Sequence, residues 1–361
     1  MYLPRYQAGT ASVMENLESR TLFSASFLSH LTPTPKVAAN TVPSNGDENP
    51  YGVAFVPTED AGGKLTAGDV LVSNFNDNGN AQGTGTTIVE INPKTGKQTL
   101  FFQGSAGLGL TTALGVLPGG FVVVGNLPAN GGGTPDGPGS LLIINKFGRL
   151  VKTFSDSNLL DGPWDLTIQN DGFIQQIFVS DVLNGTVTRL DLLVNPFGDD
   201  GDDVLLLGKT RIASGYTFRT DPVAFVIGPT GLALDPRTDT LYVASTGDNA
   251  VYAIKNAEFT GPRSGTGNFI FSNEHLRGPL ALGFAPNGDL LAANGDAINP
   301  DLTNVQNSEI VEFTTKGKFV GEFQIDPSTG AAFGFAIETD DGHSIFAAVD
   351  DANNTLDIWD V

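Results

Sequence analysis

The stretch GPTGLALDPRTDTLYVASTGDNAVYAI, residues 228–254, decides the fold. It holds three short apolar runs, GLAL, LYVAS and AVYAI, separated by Asp-Pro-Arg-Thr-Asp-Thr and Thr-Gly-Asp-Asn. Runs of this length, rich in Val, Tyr, Leu and Ala and bounded by Gly, Asp, Asn and Pro, predict strands joined by tight turns. The four-residue core of the first run returns five more times, as GVAF from Gly52, ALGV from Ala113, DLTI from Asp165, ALGF from Ala281 and GFAI from Gly334. Side chains alternate across a strand. Val53 and Phe55, Leu232 and Leu234 and their equivalents therefore share a bulky face, and Ala54, Gly115, Thr167, Ala233, Gly283 and Ala336 a tight one.

Successive cores begin 61, 52, 66, 50 and 53 residues apart, too unevenly for identical coils but suitably for four-stranded sheets with variable loops. Second strands are expected at 69–74, 121–126, 177–181, 241–245, 290–294 and 345–349, and third strands follow each. Fourth strands are clearest at 99–103, 150–155 and 319–325. The last unit has none before Val361, and an open edge there would invite pairing with other chains, so KVAANTV (36–42) is expected to supply its outer strand. The reading is an all-β, six-bladed propeller of four-stranded antiparallel blades over residues 36–361, closed by an N-terminal strand. Residues 1–35 form a leader or targeting segment, irregular or briefly helical.

Composition agrees. Forty-five glycines, 21 prolines and 16% charged residues suit a loop-rich β protein, and the absence of cysteine excludes thiol chemistry and disulfides. The net charge of −21 argues against a nucleic-acid backbone or an anionic membrane surface as partner. No window has the roughly 18 to 20 consecutive apolar residues of a spanning helix, and the chain is expected to act as a monomer.

The quoted stretch resembles the repeat of NHL-type six-bladed propellers, in which a Pro-x-Gly-Leu entry precedes the inner strand and a Tyr-Val-Ala-Asp-like strand follows. Pro50, Pro163, Pro229 and Pro279 keep the entry proline, and the units entered near Thr112 and Phe333 lack it. The resemblance covers residues 47–361 and implies a recognition surface more than an enzyme. MENLESRTLFSAS (14–26) resembles the LEPR-XLL segment of exported or surface-associated bacterial proteins, which implies an extracytoplasmic destination. Read on its residues alone, the same segment is a short amphipathic helix or a disordered leader using Met14, Leu17 and Leu22.

In a propeller of four-stranded meanders, inner-strand entries and second-strand ends converge on one mouth of the channel. The entries offer Tyr51, Thr112, Trp164, Thr230, Leu280 and Phe333, and the strand ends Asn74, Asn126, Asp181, Ser245, Asn294 and Asp350. Tyr51, Trp164 and Phe333 as apolar walls, with Asn74, Asn126, Asp181, Asn294 and Asp350 as orienting groups, would suit a small polar ligand, a glycan fragment or a peptide, or a protein partner. The competing reading is structural: Asn and Asp cap turns, and Trp164 packs between blades. The insertion SGYTFRTDP (214–222) should reach over the mouth, where Arg219 pairs with Asp221 or meets a charged ligand.

An enzyme is the alternative. DENPYGV (47–53) is similar to the Glu-Gly-Pro entry of gluconolactonase and regucalcin-like propellers, which implies a Ca²⁺-dependent lactonase or hydrolase with Glu48, Asn126, Asn294 and Asp350 as oxygen ligands. Thr230 and Ser245 stand where that family has Asn and Asp, so a non-catalytic binding protein without cofactor leads. His30, His275 and His343 all fall outside the expected mouth, and GDDGDD (198–203) lacks the frame of a calcium loop.

Overall fold

Alternating apolar runs leave each sheet with a bulky and a tight face, and stacking one against the next around an axis buries both. The computed structural model describes residues 25–130, 133–263, 265–298 and 307–361. It is an all-β, six-bladed propeller of four-stranded antiparallel sheets. The inner strands, from blade 1 to blade 6, are Glu48–Phe55, Leu110–Leu117, Pro163–Asp171, Pro229–Asp235, Pro279–Phe284 and Ala332–Asp340. Blades 1 to 5 are meanders running outward in chain order. In blade 6 the fourth position belongs to Val37–Asn40, which pairs antiparallel with Thr355–Asp360 in the register Val37 to Ile358 and Asn40 to Thr355. The outer strands of blades 3 and 4, Val204–Ser214 and Asn268–Phe271, carry no clear sequence pattern. They are outermost in their blades and only partly buried, and LLLGKTRIA lacks clean alternation.

The two-faced strand is visible in the contacts. A Cβ on Gly115 would lie 2.7 Å from Ile168 of the next blade, and one on Gly283 would lie 2.8 Å from Phe335. At Gly334 it would fall 1.9 Å from the Tyr51 carbonyl oxygen, so blade 6 reaches blade 1 only because no side chain stands there. An added methyl at Gly115 or Gly283 would have to displace a neighbouring side chain, and one at Gly334 the backbone itself.

Each of the six junctions also carries a polar latch near the start of the inner strands. Ser73 donates to the Thr111 carbonyl (2.9 Å), Thr111 to the Pro163 carbonyl (2.9 Å) and Thr230 to the Pro279 carbonyl (2.8 Å). The Leu232 N–H donates to Asp165 Oδ2 (3.0 Å), the Ala331 N–H to Ser308 Oγ (2.8 Å) and the Asn49 N–H to Asn354 Oδ1 (2.7 Å). Buried backbone groups need such partners. Asp165 is the ionisable member of this set, and burial lifts its carboxyl to about 8 although the Leu232 and Leu166 N–H groups pull the other way.

Ahead of the closing strand, residues 25–31 lie across blades 5 and 6. Phe27, Leu28 and Leu31 are buried against Trp359 and Phe346. Glu312 accepts hydrogen bonds from Ser26 Oγ, the Phe27 and Leu28 N–H groups and Asn287 Nδ2, and Trp359 Nε1 donates to the Thr32 carbonyl. Of the LEPR-XLL-like segment at 14–26, residues 14–24 lie outside the described residues. Among the described residues no helix is long and apolar enough to cross a membrane.

Candidate functional site

Every inner strand carries a β-bulge just after its entry residue, between Pro50 and Val53, Leu110 and Leu114, Pro163 and Asp165, Pro229 and Leu232, Pro279 and Ala281, and Ala332 and Phe335. A bulge bends a strand and re-aims its side chains. Three of the re-aimed side chains, Tyr51, Trp164 and Phe333, converge at one mouth of the channel. Tyr51 stacks on Phe333 at 4.5 Å and on Phe75 at 4.6 Å, and meets Trp164 edge-on at 5.7 Å. Phe225 completes the cluster against Phe75 at 5.4 Å. Tyr51 and Trp164 are 3% and 2% exposed, so this aromatic cluster floors the mouth. Burial, reinforced by Asp351, holds the Tyr51 phenol far above its ordinary range and keeps it neutral.

Above this floor is a cavity of about 270 Å³. Its aromatic side is Tyr51, Trp164 and Phe333. Leu280, Gly295, Asp296 and Gly330 border it from blades 5 and 6, and Asn49, Gln82 and Asp351 form the polar side. The insertion before blade 4 folds into a hairpin, Arg219–Asp221 with Phe225–Ile227, whose Val223, Ala224 and Val226 complete the wall. Phe225 sits at φ 64° inside a three-residue turn closed by Val226 N–H to the Ala224 carbonyl (2.7 Å). For a bulky residue this is a strained conformation, of the kind that gathers at ligand clamps. Arg219 pairs with Asp221 at 3.6 Å, and neither lines the cavity.

The second-strand ends are placed differently. Asn74, Asn126, Asp181, Ser245, Asn294 and Asp350 are all buried, and none lines the cavity. Asn74 donates to the Thr41 carbonyl and Thr87, tying the closing strand to blade 1. Asn126 donates to the Leu108 carbonyl and accepts from Ser140. Asn294 accepts the Arg277 N–H and donates to the His275 carbonyl. Asp181 accepts from Thr186, Ser245 donates to Asp248, and Asp350 receives Asn353. Each lies at or near the end of a second strand, one strand out from the inner one, and spends its side chain on neighbouring loops and strands. Thr112 and Thr230 likewise spend their hydroxyls on the Trp164 and Pro279 carbonyls.

The next residues along the chain reach the cavity instead: Gly295 and Asp296 after Asn294, and Asp351 after Asp350. Asn49, Gln82, Asp296 and Asp351 had no motif to mark them, and Asp296 and Asp351 lie past the ends of their strands, where the loop and not the pleat sets direction.

Three cavity groups stand out chemically. Trp164 Nε1 and Asn49 Oδ1 are buried with no hydrogen-bond partner among the described residues, an arrangement that costs about 1–3 kcal/mol per group unless something is bound there. The Asp351 carboxyl has no hydrogen-bond partner among the described residues, and burial, with Asp350 and Glu48 beside it, lifts it to about 7. Asp296 is different. Its carboxylate accepts Ser308 Oγ (2.8 Å) and the Gly330 N–H (3.0 Å) and faces Arg277 at 3.4 Å, so it braces blades 5 and 6.

The sequence-predicted metal set does not assemble in the required form. The side-chain oxygens of Asn126 and Asn294 are engaged by Ser140 and the Arg277 N–H, and both Asp350 oxygens by Asn353. Among the described residues no group of three or more His, Asp or Glu side chains is gathered for a metal. Ca²⁺ needs six to eight convergent oxygens, and the four named residues do not fit it. GDDGDD closes a capped 3₁₀ turn at Gly201–Asp203, and His275 and His343 pair with Glu322 and Asp360 away from the cavity.

These features define a six-bladed propeller with a small cavity at one mouth. Its fold matches solved propellers: a calcium-binding regucalcin from Agrobacterium tumefaciens (12% identity, 90% of this chain and 93% of that one, TM-score 0.54) and an alpha-L-arabinanase from Penicillium chrysogenum complexed with arabinobiose (12%, 91% and 98%, 0.52). A chain of a mitotic checkpoint complex aligns comparably (11%, 91% and 95%, 0.50). Chains so different in role show a shared architecture and nothing finer. No family model matches the sequence, and no curated protein does.

Proposed function

We propose that this propeller binds a small polar ligand in the cavity at its mouth. The observation that carries the reading is the convergence of Tyr51, Trp164 and Phe333 with two buried, unpartnered polar atoms, Trp164 Nε1 and Asn49 Oδ1. Apolar walls with a few convergent polar groups are the general form of small-molecule sites. A cavity of about 270 Å³ suits a ligand about the size of one sugar ring. The resemblance of residues 14–26 to exported bacterial proteins supports an extracytoplasmic address.

A second reading, hydrolysis in the same cavity, is favoured by Asp351. A carboxyl near 7 without a partner can hold or release a proton at neutral pH, as a general acid or base must. An arabinanase among the solved propellers of this architecture supports hydrolysis as chemistry the fold accommodates. A thermal-shift screen of sugars, polyols and small amines, run with the wild type and Trp164→Phe, tests binding. A hit that raises Tm in the wild type by several degrees and loses most of that shift in the variant is expected; the absence of any hit, or hits indifferent to Trp164, would refute the site. Turnover of a lactone or glycoside by the wild type, abolished in Asp351→Asn, would select the second reading.

A further inference from the structure

The cavity at the mouth has walls of unusual charge. Among the described residues no lysine, arginine or histidine lines it, whereas two aspartates do. One of them, Asp296, is engaged by Arg277, Ser308 and Gly330. The other, Asp351, has a bare carboxyl, and the charged neighbours that act on it, Asp350 beside it in the chain and Glu48 from blade 1, are both acidic. The third nearby titratable group, the Tyr51 phenol, is neutral. An anionic ligand would enter a negative field with no counter-charge, and a neutral one would leave the carboxylate uncompensated. A cation would pair with it in a partly dehydrated place, where charge-assisted hydrogen bonds are strongest.

Hydrogen-bonding capacity narrows the class further. Asn49 Oδ1 is an acceptor that needs a donor, and Trp164 Nε1–H is a donor that needs an acceptor. We infer that the mouth cavity recognises a small organic cation, a primary or secondary ammonium shared between the Asp351 carboxylate and Asn49 Oδ1, whose own hydroxyl or carbonyl oxygen accepts from Trp164 Nε1. The inference rests on the reading of this cavity as a ligand site and specifies the ligand's charge and polarity.

Three probes on one carbon frame separate the possibilities: 2-amino-1,3-propanediol, glycerol and glycerate carry a cation, no charge and an anion. Calorimetric titrations at pH 8, where Asp351 is ionised and the alkylammonium keeps its proton, should show the amine binding about tenfold or more tighter than glycerol, and glycerate not at all. In Asp351→Asn the ratio of amine to glycerol affinity should collapse toward one. If that variant does not fold, the wild type gives the same answer, because protonating a group near 7 should weaken amine binding about tenfold from pH 8 to pH 6. Equal binding of glycerol, any preference for glycerate, or an amine affinity indifferent to both Asp351 and pH would overturn the inference. If larger neutral molecules bind through Trp164 while the amine does not, the cation fails and the cavity stands; if no compound of any charge binds, both fail.

Discussion

Asp165 occupies the position held by Gly52, Ala113, Gly231, Ala281 and Gly334 in the other five inner strands. Its carboxyl is held in the seam between blades 3 and 4 by the N–H groups of Leu166 (2.9 Å) and Leu232 (3.0 Å). In the unfolded chain it should titrate near ~3.9, and in the native ring it titrates at about 8, chiefly because burial penalises the charge. The folded value is the raised one, so between these limits the native state keeps a proton that the unfolded chain has released. Stability is therefore fully present below pH ~4 and is lost as pH rises toward 8, at about 1.4 kcal/mol per pH unit for this one group. Even half the shift would remove about 3 kcal/mol, a sizeable part of a domain's ordinary reserve of roughly 5–15 kcal/mol.

Asp165→Asn removes the titration while keeping the shape. Its amide keeps one acceptor and sets an NH₂ against the other N–H, so at pH 5 the variant should be less stable by about 1–3 kcal/mol. Urea unfolding at pH 5, 6, 7 and 8 would give both slopes. Asp351, at about 7, and Asp357, at about 6, contribute in the same direction to the wild type and the variant alike. The slopes should differ by about 1.4 kcal/mol per pH unit, bringing the two proteins together or past one another near pH 7. Parallel slopes would refute the assignment of this proton to Asp165.

Two further outcomes follow from the same structure. Excess Ca²⁺ and a chelator should leave Tm unchanged, because the oxygens of Asn126, Asn294 and Asp350 are already engaged; a rise with Ca²⁺ would reveal a native-state metal site and revive the lactonase set. Glu312→Ala strips the buried acceptor of the Phe27 and Leu28 N–H groups, and should cost about 2–4 kcal/mol. It should also open the chain near residues 25–31 to limited proteolysis, which an unchanged digestion pattern would contradict.

The ring was legible because its repeat is a steric necessity: a bulky face such as Leu166 and Ile168 must meet a tight one such as Gly115, and that alternation is written six times. Closure by residues 36–42 was legible for a similar reason, since the last unit had three strands and an edge to cover. The site was less legible. Tyr51, Trp164 and Phe333 were readable as a converging set, because entry residues occupy equivalent places in every blade. Asp350 was readable as a strand end, but the cavity uses Asp351, beyond the last paired residue, where a turn and not the pleat sets direction. Val223, Ala224 and Val226 come from an insertion that belongs to no repeat, so nothing periodic foretold where its tip would rest.

The chain has two tryptophans, and only Trp164 lines the cavity. In a Trp359→Phe background, Trp164 is therefore the sole tryptophan and reports from the site itself. Titrating that variant with the compounds that raise Tm should shift the Trp164 emission with a midpoint equal to the calorimetric Kd. Saturable binding that leaves the Trp164 emission unchanged would place the ligand elsewhere and contradict the assignment of function to the mouth.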